Sequence, residues 1–426
     1  MLVAGSLRVI VLPRFAAARA AERLAAEVGA WGAALAGPLA LVTVVALVWP
    51  HPIASALTSN PAAQDNAARL LPWVVASAVA QIFGGLVASA LAALDDYQWA
   101  AFGFACGSVA GVVLTLALVG HGVVAFGWGL ALNGALSLAI PLVPLLTRRI
   151  IGRPDERFWS RLLELGEGIA LPLALQGLYV IAFRFASGLG AGRATTFGYA
   201  YLIAAFLVAI TASSVALVAT VPFAREGSSP PRVARHVVAI SWLSLALVAA
   251  AVGVLGLVSE QIVRRVLGGS YGGGTGAELG RLVGYLAPWM VASVAVTVTY
   301  PLVFVRGRGR WLPLLAVAGL GTQLLVEWGA RAAFGLAGVA GGLALTTALV
   351  LAVLLAWLGA LVPVARGLAV AAVVCGGLAV LSFGVPRLVI GPIPAAVVGL
   401  VAYGAVLVAW RPAGLRLAWA YLRTLQ

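Results

Sequence analysis

The chain has no lysine, and among its 426 residues are only 13 acidic side chains, three histidines and two cysteines. Each shortage excludes something. With no lysine, all 27 basic residues are arginine, a usage that fits a GC-rich coding sequence. It also removes the Gly-rich phosphate loop that ends in lysine, so the glycines between 268 and 276 read as a flexible connection. Cys106 and Cys375 both fall within long apolar stretches and read as small apolar filler rather than as a disulfide or a metal pair. His51, His121 and His236 each lie in or beside a different loop, with no acidic or cysteine partner at ligand spacing. A membrane glycosyltransferase needs acidic residues in an external loop, and Asp65 is the only acid in the segment 51–69. An enzyme is therefore not expected. A secretory signal is not expected at the start, which lacks a basic segment ahead of the apolar run. No polar stretch is long enough to make a soluble domain.

What is abundant is apolar. Hydrophobic residues make up 63% of the chain and charged residues 9%. Stretches of about 18 or more apolar residues recur throughout, each able to cross a hydrocarbon core of roughly 30 Å as a helix. A β-barrel would show short alternating segments instead. Spans are predicted near 29–49, 70–93, 98–119, 122–146, 168–186, 237–258, 282–305, 312–330, 335–360, 367–383 and 394–410, with one more leading into Pro222. That makes twelve full spans, plus an apolar stub at 1–13.

The spans repeat. Ser6–Arg14 opens a series and Ser213–Arg225 opens a second, and the gaps between spans match in order: medium, long, very short, very short. The second copy has a span before it, at 168–186, and the first has only Met1, so the first copy is expected to lack one helix and part of the next. Pseudo-twofold symmetry is predicted between 1–147 and 213–361. The expected organisation is an incomplete N-terminal lobe at 1–147, a cytoplasmic linker at 148–166, a C-terminal lobe at 167–361, two additional helices at 362–410 and an interfacial tail at 411–426. Internal repeats in a membrane protein point to a transporter.

Arginine sets the expected orientation. Numbering the loops alternately, one set holds eighteen arginines and the other eight. The positive-inside rule places the richer set, and the C-terminus, in the cytoplasm. The net charge of +14 is then topology rather than a nucleic-acid footprint, and the partners expected are membrane lipids. Trp31, Trp49, Trp73, Trp99, Trp311, Trp357 and Trp410 fall near span ends, where an amphipathic ring is stable at the headgroup level. Residues 14–27 read as a short cytoplasmic helix, 51–69 and 259–281 as external loops, and 148–166 as a charged segment on the inner leaflet. In the tail, Leu415, Trp419, Leu422 and Leu425 share one helical side with three arginines elsewhere, as suits an interfacial helix.

Ionisable groups inside a membrane are costly and mark function by default. Arg184 and Arg8 each lie about a turn from a helix end, where they read either as snorkelling side chains or as cations that bind a phosphate. Gln323 and Glu327 are spaced i,i+4 on one helical side, with Thr346 and Thr347 on the next span. These oxygens suit Na⁺ or a proton relay; alternatively Glu327 pairs with Arg331 at i,i+4. Gln176, four residues beyond Pro172, donates to a substrate, completes an ion site or only bonds a neighbouring helix. No other metal or cofactor is expected.

The segment RFASGLGAGRATTFGYAYLIAAFLVAITASSVALVATVPFARE resembles the seventh and eighth helices of the MviN/MurJ lipid II flippase family, in the multidrug/oligosaccharidyl-lipid/polysaccharide exporter superfamily. Its pattern is carried here by Ala186, Ser187, Leu189, Gly192, Tyr199, Ala200 and Pro222. SLRVIVLPRFAAARAAE is similar to the end of that family's second helix, and the likeness covers essentially the whole chain. The resemblance implies fourteen helices in two six-helix lobes plus two, around a cationic cavity that exchanges inward- and outward-open states. It implies a bacterial cytoplasmic-membrane flippase for an undecaprenyl-linked glycan used in peptidoglycan or another wall polysaccharide, with cell-wall synthesis proteins as partners. Arg8 and Arg184 would bind the diphosphate, and Gln176, Gln323, Glu327 and Thr347 would couple Na⁺ or H⁺. Where the family carries an arginine after its Tyr-Ala pattern, this chain has Leu202. The alternatives are a polysaccharide-unit flippase, a cation-coupled drug antiporter and an inactive structural homologue.

Overall fold

The computed structural model describes residues 7, 10–12, 14, 15, 18, 21–57, 61–150, 152, 158–190, 192–209, 229–266 and 274–423. Among these residues every regular element is helical. In order they are α1 (Ala21–Val48), α2 (Pro50–Leu57), α3 (Pro61–Ala93), α4 (Gln98–Ala117), α5 (Val123–Thr147), α6 (Phe158–Ser187), α7 (Arg193–Val208), α8 (Pro230–Val266), α9 (Gly274–Tyr285), α10 (Ala287–Val305), α11 (Leu312–Trp357), α12 (Leu361–Val389), α13 (Pro392–Trp410) and α14 (Ala413–Arg423).

Helix is the only open-ended way to satisfy every backbone N–H and C=O in hydrocarbon, which is why so apolar a chain contains little else. Among the described residues ten helices are long and apolar enough to cross a membrane. The longest candidate, Gly309–Trp357, holds two predicted spans, because α11 reverses at Gly335, whose φ of 57° and ψ of −129° are not helical. The described part of the span leading into Pro222 is α7, at 16 residues a shorter apolar helix. All twelve predicted spans therefore contain described helix, and the chain is a multi-pass membrane protein. Large apolar side chains stand exposed along these helices, among them Val109, Leu116, Trp328, Val362 and Leu388. In hydrocarbon such a surface is at no disadvantage.

Helices overrun the predicted span ends into several of the connecting segments. α1 is continuous from Ala21, so the second half of 14–27 is the start of that long helix, and part of the first half lies outside the described residues. Most of 51–69 is helical, in α2 and the start of α3. α6 begins at Phe158, inside the predicted linker. The loop 259–281 is bounded by the end of α8 and the start of α9, and most of its glycines lie outside the described residues. Hydropathy locates only the apolar middle of a helix, and backbone hydrogen bonding carries the coil on into polar surroundings.

The chain divides into two compact units, Met1–Pro172 and Leu173–Gln426. In the first, α5 packs on both α3 and α4. Its tightest seam is glycine against backbone: a Cβ on Gly107 would lie 2.7 Å from the Asn133 carbonyl oxygen, and one on Gly111 would lie 2.6 Å from the Gly129 oxygen. Close approach through small residues is how helices associate where lipid is as apolar as leucine. On the N-terminal side Leu7, Val11, Phe15 and Leu24 are buried, although most of the stub lies outside the described residues. Arg161, which the sequence placed in a surface linker, is 3% exposed; it pairs with Glu27 at 2.7 Å and with Glu164 at 3.3 Å. It also stands 5.6 Å from the Trp31 ring centroid, and Arg14 reaches Glu164 at 2.6 Å.

In the second unit a core of α6, α7, α8, α9, α10 and α11 residues includes Leu178, Phe197, Val248, Leu282, Met290 and Leu343. α8 packs on α12 and α13, and the Tyr403 hydroxyl donates to the Ala246 carbonyl at 3.0 Å.

Candidate functional site

The two legs of α11 run antiparallel on either side of Gly335, which supplies the positive φ that a side chain would resist. Their register can be read from glycines. A Cβ on Gly338 would overlap the Ala330 carbonyl. One on Gly342 would sit 3.1 Å from the Glu327 carboxyl carbon, and one on Gly319 would sit 3.3 Å from Val350. In that register Thr346 stands opposite Gln323, four residues from each of those pairings.

Gln323 and Glu327 are both fully buried. The Gln323 Nε2 donates to Glu327 Oε1 at 2.6 Å. Among the described residues the other oxygens, Gln323 Oε1 and Glu327 Oε2, have no hydrogen-bond partner, and neither has the hydroxyl of buried Thr346. Buried polar atoms are almost always partnered, so three orphaned oxygens on facing legs call for a ligand, a water or a proton. A carboxylate, an amide oxygen and a hydroxyl are hard donors of the kind Na⁺ takes, and a protonated Glu327 would serve a proton relay.

The sequence candidates separate accordingly. Gln323 and Glu327 are brought together. Thr347 is on the facing leg, but its hydroxyl donates to the Leu343 carbonyl of its own helix at 2.8 Å. Thr346 is the threonine whose oxygen is left over, and the tight turn at Gly335 decides this by fixing the phase of the second leg. Gly342 also belongs to the site, because its missing side chain lets the carboxyl lie against backbone. The paired reading of Glu327 with Arg331 is corrected: Arg331 instead donates from Nη2 to the Gly188 carbonyl at 2.8 Å and lies 6.0 Å from the Phe185 ring centroid. It caps the end of α6, where a cation meets the negative end of the helix dipole.

Gln176 does not join the cluster. It is half-buried on α6 and shares a side-chain hydrogen bond with Tyr201, which stacks on Tyr179 at 3.9 Å between centroids. Its neighbour Gly177 packs on Leu320, about a turn from Gln323. Arg184 is exposed on α6, and among the described residues its guanidinium has no partner. Arg8 lies outside the described residues. Cys106 and Cys375 are free, and no group of three or more metal-ligating side chains occurs among the described residues.

Neither a protein family nor a curated protein is matched by this sequence. Solved structures do match. The lipid II flippase MurJ, in an inward closed conformation, superposes with a TM-score of 0.71 at 12% identity, over 96% of this chain and 89% of its own. An inward-facing multidrug resistance MATE transporter of the MOP superfamily gives 0.58 at 17% identity, over 84% of this chain and 87% of its own. A MOP superfamily transporter from Pyrococcus furiosus gives 0.56 at 17% identity, over 84% of each chain. The resemblance seen around Ala186 and Tyr199 thus holds at the level of architecture: the chain has the all-helical membrane fold of the lipid II flippase MurJ and the MATE transporters.

Proposed function

We propose that the chain is a flippase-type transporter that moves a lipid-linked oligosaccharide precursor, similar to lipid II, from the inner to the outer leaflet of a bacterial cytoplasmic membrane by alternating access. In this reading Arg8 and Arg184 meet the diphosphate, whose charge cannot cross bare hydrocarbon. Gln323 and Glu327, with Thr346 beside the Thr347 expected from sequence, couple Na⁺ or H⁺ to the movement. The arginine-rich loops and the C-terminus face the cytoplasm.

One observation carries the transport half of this reading. Glu327 is buried, with one carboxylate oxygen that has no partner among the described residues. Leaving a buried charge uncompensated costs about 3–5 kcal/mol. A bound cation or proton removes that cost, and a purely structural role gives no reason to retain the group. The choice of cargo is supported by the fold match to a lipid II flippase over nearly the whole chain. The second reading, a cation-coupled drug antiporter, is favoured by the MATE matches at lower TM-score and coverage.

The test is translocation of a fluorescent undecaprenyl-diphosphate glycan in proteoliposomes. Arg184→Ala is expected to abolish flipping in a folded protein. Arg184→Lys should retain part of it, since lysine keeps the charge but loses the bidentate fork. Full activity of the alanine variant would remove Arg184 from the diphosphate site, and transport of cationic dyes with no movement of the glycan would establish the antiporter instead.

A further inference from the structure

Residues 361–426 carry five arginines and no aspartate or glutamate. Within this stretch α14 folds back on α8 through Gly414, Ala418 and Tyr421, at the i, i+4, i+7 spacing of one helical side. Gly414 lies so close to the Trp242 ring that a side chain would overlap it. Ala418 is fully buried, and the Tyr421 hydroxyl shares a 2.9 Å hydrogen bond with His236 Nδ1. Leu417 and Trp419 of α14 are exposed beside Arg416. Next to this contact is a cavity of about 520 Å³ lined by Trp242, Val362, Pro363, Arg366, Val370 and Gly414. Arg366 is its only charged wall. It is exposed and, among the described residues, has no ion-pair or hydrogen-bond partner.

We propose that this cavity docks an anionic phospholipid, with the phosphate on Arg366 and an acyl chain along Val362, Pro363 and Val370 beside Trp242. One cation at the edge of an otherwise apolar slot matches a ligand with a charged head and a hydrocarbon tail. The neutralising charge has to come from outside this segment, because its sequence supplies no carboxylate. The cavity opens beside helices that cross the membrane, so lipid phosphate is the anion at hand. Exposed Arg416 adds attraction for an anionic surface without touching the slot, and Trp419 and Leu417 hold α14 at headgroup depth. The lipid is a resident of the fold rather than cargo, so the proposal stands or falls independently of what is transported.

The full chain, purified in detergent, would be titrated with phosphatidylglycerol, phosphatidylcholine or inorganic phosphate. Native mass spectrometry would count adducts, and thermal unfolding would follow stability. Phosphatidylglycerol should bind and raise the unfolding temperature, and the other two should not. Arg366→Gln should weaken phosphatidylglycerol by about five-fold, the value of one arginine at an anionic surface. Arg366→Lys should retain most of the affinity, and Arg416→Gln should lose less than Arg366→Gln. Val370→Trp, which fills the slot and keeps the charge, should weaken phosphatidylglycerol as well. The proposal fails if phosphatidylcholine matches phosphatidylglycerol, if phosphate alone reproduces the shift, or if Arg366→Gln and Val370→Trp both bind like the wild type.

Discussion

The hairpin of α4 and α5 in the first unit and the two legs of α11 in the second are built alike and used differently. Each sets three positions, four residues apart, against the facing leg. In the first unit these are Gly103, Gly107 and Gly111, which meet Pro141, the Asn133 and Ser137 groups, and Gly129. In the second they are Gly319, Gln323 and Glu327: Gly319 meets Val350, Glu327 meets Gly342, and the register between those two pairings sets Gln323 opposite Thr346. Where glycine fills the seam, helix backbone lies on helix backbone and no polar side chain is stranded there. Where Gln323 and Glu327 fill it, the glycine moves to the opposite leg, at 342, and leaves room for a carboxyl with an oxygen to spare. The same fold thus gives one seam closed by backbone contact and one that buries polar side chains, and the side of the seam that carries the glycine distinguishes them.

The largest effect should come from making the first seam resemble the second. Gly107→Gln places a side chain where even a Cβ would be 2.7 Å from the Asn133 oxygen. Overpacking typically costs about 1–3 kcal/mol, and here the obstacle is backbone that cannot swing aside. Loss of the monodisperse protein peak in size-exclusion chromatography is expected, and a normal peak would show that the first seam can yield to a side chain.

The reverse change should leave the fold and remove the chemistry. Glu327→Gln keeps the shape and deletes the charge. Stability in ion-free buffer should rise, while Na⁺- or pH-stimulated transport should fall by about ten-fold or more, equivalent to roughly 1.4 kcal/mol of lost interaction. Unchanged ion stimulation in proteoliposomes would assign Glu327 a packing role. The threonines sharpen the comparison further. Thr346→Val should weaken the ion response by about three-fold while relieving an unsatisfied buried hydroxyl. Thr347→Val should leave the response near wild type, because that hydroxyl serves its own helix. Ion titrations of the two variants decide between the residues. Gly342→Ala should have the smallest effect, about two-fold weaker ion affinity, since its methyl would press on the Glu327 carboxyl at 3.1 Å, tight but not prohibitive.

Much of this was legible in sequence, for physical reasons. Apolar length marks the spans, and spacing of four residues puts Gln323 and Glu327 on one side of a helix. What lay beyond reach depended on geometry between elements. Choosing Thr346 over Thr347 requires the phase that Gly335 imposes on the second leg, and one residue in a helix is a rotation of about 100°. Arg331 looked like the partner of Glu327 because both fit the i,i+4 rule, yet the end of α6 offers it an unpaired carbonyl. Arg161 read as a surface cation because nothing in its neighbourhood of sequence reveals that Glu27, more than a hundred residues earlier, is waiting for it. Long-range pairing of this kind leaves no periodic trace.

The reversal at Gly335 has a consequence for how the chain enters a membrane. A straight helix of 46 residues would be about 69 Å long, more than twice a hydrocarbon core of roughly 30 Å. The first leg alone would present Gln323 and Glu327 to lipid with nothing opposite them. The second leg alone would expose Thr346. Inserted together as a closed pair, each leg covers the polar groups of the other, so the two spans are expected to leave the insertion machinery as one unit. A residue other than glycine at 335 would then act first on biogenesis, by delaying closure of the pair, before any loss of transport could be seen.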